Sequence, residues 1–181
     1  MRPRPQRSNN RQAPGDRFSR GPRVRAGLLM SRQMDFGGLG DVETLMTDEG
    51  LTLAPMTADG KPVERPGPQH SSVTVLPTAG VQDIAAGGLA AIVAPGNGEV
   101  RSPESVSGFD KLVNTAHAAD VPVLAFGESV SRALQAAGYD APANPSPAAL
   151  IHKGVRMLET VDEVRDALRA VSGVSPQTHA A

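Results

Sequence analysis

Cysteine and tryptophan are absent from this chain, tyrosine occurs once and phenylalanine four times. Without a thiol, disulfides, thiolate metal ligands and cysteine nucleophiles are all excluded. With so few rings, the core has to be built from aliphatic side chains, and base stacking on an aromatic platform has almost nothing to use. No apolar run approaches the roughly 20 residues of a membrane helix, and no signal-peptide core follows the basic start. A soluble cytoplasmic protein with a single core is the expectation for 181 residues.

Charge is balanced overall at -1 but not along the chain. Residues 1 to 27 carry eight arginines against Asp16 alone, a local net of +7, which leaves -8 for the remainder. Prolines 3, 5, 14 and 22 break this stretch, and it has no apolar periodicity to bury. Residues 1–23 are therefore expected to form a disordered arm, either a solvated tail or a salt-sensitive contact for RNA, DNA or an acidic partner. A short tail, 173–181, is expected at the other end.

From Val24 onward, short apolar runs alternate with helical patterns, the mark of a parallel-sheet α/β domain over residues 24–172. Strands are expected at Val24–Met30, Leu51–Ala58, Leu89–Ala94 and Val121–Phe126, with late candidates at Ile151 and Val155–Leu158. Helices are expected at Asp41–Glu49, Val81–Ala86, 104–119 and Ser129–Ala137. Thr160 and Glu163 form a capping box that opens a last helix, with Val161, Val164, Leu168 and Val171 inward. Between Asp59 and Leu76, Pro and Gly predict an excursion over the sheet, extended only at Val73–Leu76.

The sharp turn from Phe126 into Gly127-Glu128-Ser129 lies where many α/β enzymes hold a nucleophile, yet it carries glycine. Three chemistries remain to be weighed around it. Ser129 approaches a serine-hydrolase elbow, with His152 later in the chain, but Ser also caps helices at such positions. Glu43 and Glu128 could form an acid/base pair or hold a cation, if both point into one pocket. Pro95-Gly96-Asn97-Gly98 is a glycine-rich turn after a strand, with Arg101 near it, but it lacks a Walker lysine and a helix starting at once. His70, His117 and His179 have no neighbours at metal-ligand spacing, so neither a metal nor a cofactor is expected.

The order of these pieces resembles the class I glutamine amidotransferase-like superfamily, in its PfpI intracellular-protease branch. The residues that carry the resemblance are Asp41-Val42-Glu43, Ala94-Pro95-Gly96 and Pro122-Val123-Leu124-Ala125-Phe126-Gly127. It implies a flavodoxin-like three-layer sandwich with a mostly parallel sheet. In that family an elbow cysteine attacks, an early glutamate tunes the thiol and the Pro-Gly turn helps form an oxyanion hole. The matching positions here are Gly127, Glu43 and Gly96, with Asn97 and Glu128 beside them in the implied ligand pocket.

The nucleophile is missing from this pattern, and so is the His-x-Glu pair of true glutamine amidotransferases, since Lys153 and Gly154 follow His152. Ala125-Phe126-Gly127-Glu128 is also similar to the elbow of the C-terminal flavodoxin-like domain of large-subunit catalases, which has lost its cysteine too. The resemblance implies a pseudoenzyme that self-associates or binds a protein partner. A cysteine-independent hydrolase or a small-ligand binder using Glu43 and Glu128 stands as the alternative.

Overall fold

Successive side chains on a strand point to opposite faces, so a strand buried on both sides must be apolar throughout. Ala91–Ala94 (β5) and Val123–Phe126 (β6) meet this condition, with all eight residues buried. They form the centre of a six-stranded sheet in a computed structural model that describes residues 24–96 and 102–173. The arm at 1–23, the tail beyond Gly173, Asn97 and Arg101 lie outside the described residues.

The remaining strands of this sheet are Val24–Leu29 (β1), Leu51–Met56 (β2), Ala148–Ile151 (β7) and Val155–Leu158 (β8). A separate two-stranded hairpin is made by Val63–Pro66 (β3) and Ser72–Val75 (β4). The main sheet runs β2-β1-β5-β6-β7-β8. Its first four strands are parallel, while β7 and β8 are antiparallel to their neighbours.

Helices cover both faces of the sheet. Val42–Asp48 (α1) and Val161–Ser172 (α5) pack on one, where Val42, Met46, Val164 and Leu168 meet Leu28, Val93, Leu124 and Phe126. Val81–Ala85 (α2), Pro103–Ala118 (α3) and Ser129–Ala136 (α4) pack on the other, where Ile84, Phe109 and Leu134 meet Met56, Ile92 and Val123. The result is a flavodoxin-like three-layer sandwich. Each fully buried side chain such as Phe109 or Leu134 contributes about 2 kcal/mol of burial energy.

Two details depart from the sequence pattern. Val161 is 38% exposed and Ala167 is buried in its place, because the inward stripe of α5 starts one turn later, at Val164. The excursion after β2 holds two paired strands, because β3, which follows Pro62, ends on Pro66 and carries the adjacent polar pair Glu64 and Arg65, finds its partner in β4.

Strand order decides where a site can form. From β1 the chain crosses to β2 at the sheet's edge and returns to β5 on the other side of β1, so the loops leaving β1 and β5 lead to opposite faces. A crevice outside the carboxyl ends of two such strands is where open parallel sheets bind ligands. Here the two loops meet across it: Asp35 N–H donates to Gly96 O at 2.9 Å and Gly96 N–H to Asp35 O at 2.7 Å.

Candidate functional site

The turn from β6 into α4 has the elbow form expected from the sequence, with Gly127 at φ 56°. A left-handed residue here turns the chain sharply enough to point position 127 out of the sheet. The turn is braced from two sides. Gly127 N–H donates to Pro147 O at 2.8 Å, and the buried Ser129 hydroxyl donates to Pro95 O at 2.7 Å.

The space beside Gly127 is occupied by Asp35. A Cβ at 127 would lie 2.6 Å from Asp35 Oδ2, and the next two heavy atoms it would meet also belong to Asp35. The other carboxylate oxygen, Oδ1, accepts from Gly37 N–H at 2.9 Å, an Asx turn that fixes the side chain. Gly37 itself must be small and left-handed, since a Cβ there would come within 2.5 Å of Pro147 O. Phe36 packs edge-on against Phe126 at 5.2 Å and anchors this loop over the end of β6.

Asp35 therefore enters the site through both its backbone and its side chain. Its carbonyl takes the Gly96 N–H, and its carboxylate fills the space that a side chain at residue 127 would enter. Asp35 is not among the candidate residues named from the sequence. The only local signal was Asp35-x-Gly37, the pattern of a turn.

Of the residues that the sequence did single out, Gly96, Gly127 and Glu128 come together. A Cβ on Gly96 would lie 3.2 Å from Glu128 N and 3.3 Å from Glu128 Cγ, so the two turns are in close contact. The Glu128 side chain is exposed and does not cap α4, although Glu128 is the N-cap residue. Glu43 is half-buried in the first turn of α1, and the atoms nearest to the empty side-chain position at 127 are those of Asp35 rather than of Glu43.

Asp41 caps α1, accepting from Thr44 N–H at 3.0 Å and Thr44 Oγ1 at 2.6 Å. The Thr44 hydroxyl first, and then its amide, hold the Asp41 carboxyl below the usual carboxylate range.

Ser129 is the first residue of α4 and not its cap, and its hydroxyl proton is committed to Pro95. His152 is in the turn between β7 and β8, against Asp120 at 3.4 Å. Since Ile151 pairs with Val123 while Ala148 pairs with Phe126, this turn lies at the far end of β6 from the elbow. Ser129 and His152 are thus at opposite ends of the sheet, too far apart for a nucleophile and its base. No group of three or more metal-ligating side chains occurs among the described residues, and none of their helices is long and apolar enough to cross a membrane.

Two concavities lie on the α3 side of the crevice. One, of about 310 Å³, is bounded by the ends of β1 and β2, by Pro95 and by the first turns of α3. The other is an open groove of about 950 Å³ between residues 57–61, residues 77–82 and α3. Neither is lined by Glu43 or Glu128.

No protein-family model matches the chain, and no curated protein matches it. Among solved structures it is similar to DJ-1beta of Drosophila melanogaster, with a TM-score of 0.42 and 12% identity. That alignment covers 64% of this chain and 61% of the DJ-1beta chain.

Proposed function

We propose that this is a non-catalytic, PfpI-like α/β domain with a structural or protein-interaction role, its elbow closed by its own Asp35. The observation that carries this reading is the 2.6 Å between Asp35 Oδ2 and the position of any Cβ at residue 127. An active elbow needs a side chain that reaches substrate and a free donor for the developing oxyanion. Position 127 has no side chain, and the Gly96 donor is used by Asp35. The commitment of the Ser129 hydroxyl to Pro95 supports the same reading against a serine hydrolase.

Placing a thiol at the elbow tests this directly. In Gly127→Cys the new sulfur would sit beside a carboxylate, which disfavours the thiolate and slows alkylation at neutral pH. Iodoacetamide should modify this variant more slowly than an exposed cysteine, and Gly127→Cys/Asp35→Ala should react several-fold faster. A single variant that reacts as fast as the double one would show the elbow to be open and would overturn the proposal. A side chain at φ 56° strains the turn by about 1–2 kcal/mol in both variants alike, so their alkylation rates are compared after circular dichroism has shown that both fold.

A further inference from the structure

An edge strand leaves a row of backbone N–H and C=O groups unpaired, and proteins guard such rows with proline, charge or a covering segment. The edges of the main sheet are guarded in this way, β2 by Pro55, whose carbonyl accepts from Thr78 N–H at 2.9 Å, and β8 by the exposed Arg156. The hairpin of β3 and β4 has two further edges, and among the described residues no third strand joins it. Two strands alone are marginal in water, so an open hairpin edge gains from further pairing.

The register decides what each edge offers. Gly67 N–H donates to Ser71 O at 2.8 Å, and bonded and non-bonded residue pairs alternate from there along the antiparallel strands. Arg65–Val73 and Val63–Val75 are therefore bonded within the hairpin, whereas Glu64–Thr74 and Pro66–Ser72 turn their backbone groups outward. On the β3 side the outward residues are Glu64, which is charged, and Pro66, which has no N–H. On the β4 side they are Ser72 and Thr74, and both can donate and accept. Residues 71–76 carry neither charge nor proline, and the large apolar side chains among them, Val73 and Leu76, are 47% and 63% exposed.

We propose that β4 pairs antiparallel with β4 of a second copy of this chain, about a twofold axis at Thr74. The two Thr74 residues exchange N–H···O=C bonds, Val73 lies opposite the partner's Val75, and Leu76 lies opposite the partner's Ser72, so β-branched and apolar side chains meet and no charge faces its like. The β3 edge repels the same arrangement, because a twofold at Glu64 or at Arg65 sets that charge against its own copy. With β4 as the open edge, two copies build a four-stranded sheet whose outer strands are both β3, so Glu64 and Pro66 close the assembly at a dimer instead of a fibre. The inference rests on the protein-interaction role proposed above and names its partner, but its variants leave the elbow untouched, so the two fail separately.

In sedimentation equilibrium the full chain should be a dimer. Thr74→Pro removes two symmetric hydrogen bonds between the copies and none between β3 and β4, so it should weaken the dimer about tenfold or more. Because the chain has no cysteine, Thr74→Cys reports on the axis without interference. Paired Cα atoms about 5.5 Å apart suit a disulfide, so mild oxidation should link Thr74→Cys into dimers several-fold faster than Glu64→Cys on the opposite edge. This second comparison decides the matter if Thr74→Pro does not fold. The proposal is overturned if the wild type sediments as a monomer, if folded Thr74→Pro dimerises as tightly as the wild type, or if Glu64→Cys is linked as fast as Thr74→Cys.

Discussion

The elbow and the cavity lie on either side of Pro95-Gly96, and they treat their polar groups in opposite ways. At the elbow, Asp35, Gly96, Gly127 and Ser129 each have a partner at hydrogen-bond distance, and the space a side chain at 127 would enter holds a carboxylate. In the cavity wall, Thr57 Oγ1 is buried without a hydrogen-bond partner among the described residues. A satisfied polar cluster rigidifies, whereas an unsatisfied one is held against its desolvation cost. The two regions share the carboxyl end of one sheet and differ in how their polar groups are partnered.

The largest effect is expected where the cavity's walls are set. Gly108 of α3 packs so closely on the loop after β2 that a Cβ there would come within 1.8 Å of Ala58 O, a backbone atom. Gly108→Ala should force α3 away from the Thr57–Asp59 segment and cost about 3 kcal/mol in chemical denaturation. It should leave the elbow hydrogen bonds protected from amide exchange. A variant as stable as the wild type would mean that the two walls do not hold each other in place.

A smaller effect is expected on the elbow side. Ser129→Ala leaves Pro95 O without its buried donor and should cost about 1–2 kcal/mol. It should change no ester hydrolysis. If the wild type hydrolyses 4-nitrophenyl acetate and Ser129→Ala does not, the comparison breaks and the elbow is an active site.

The smallest effect lies away from both regions and serves as a control. Glu159 N–H first, and then Thr160 N–H, hold the Glu163 carboxyl below its usual value of 4.5 by donating to its Oε2. A carboxyl with a lowered folded-state value adds stability above its unfolded value and loses it as pH falls through the folded one. Glu163→Gln should therefore flatten the fall in melting temperature below about pH 4.5. An unaltered acid limb would show that the capping box adds nothing to stability.

Local patterns carried most of the fold into the sequence. The capping box at Thr160 and Glu163, the inward set Val42, Leu45 and Met46, and the wholly apolar β5 follow from caps and from periods of 3.6 and 2, which neighbouring residues determine. Val161 was misplaced because at the first residue of a helix the apolar stripe has not yet settled against the sheet. β3 was missed because a short polar strand between prolines becomes a strand only through its partner.

At the candidate site, the composition excluded thiol chemistry, and the turn at Gly127 was legible from a strand running into a helix. The residue in contact with that turn was not, because Asp35 reaches it only once β1, β5 and β6 are side by side. The orphaned Thr57 hydroxyl could not be read from the sequence either. Whether a hydroxyl finds a partner depends on groups that the fold brings to it from distant segments, so the sequence determined the elements, the absence of any thiol and the turn at Gly127, while tertiary packing alone decided that Asp35 lies against that turn and that Thr57 Oγ1 is buried without a partner among the described residues.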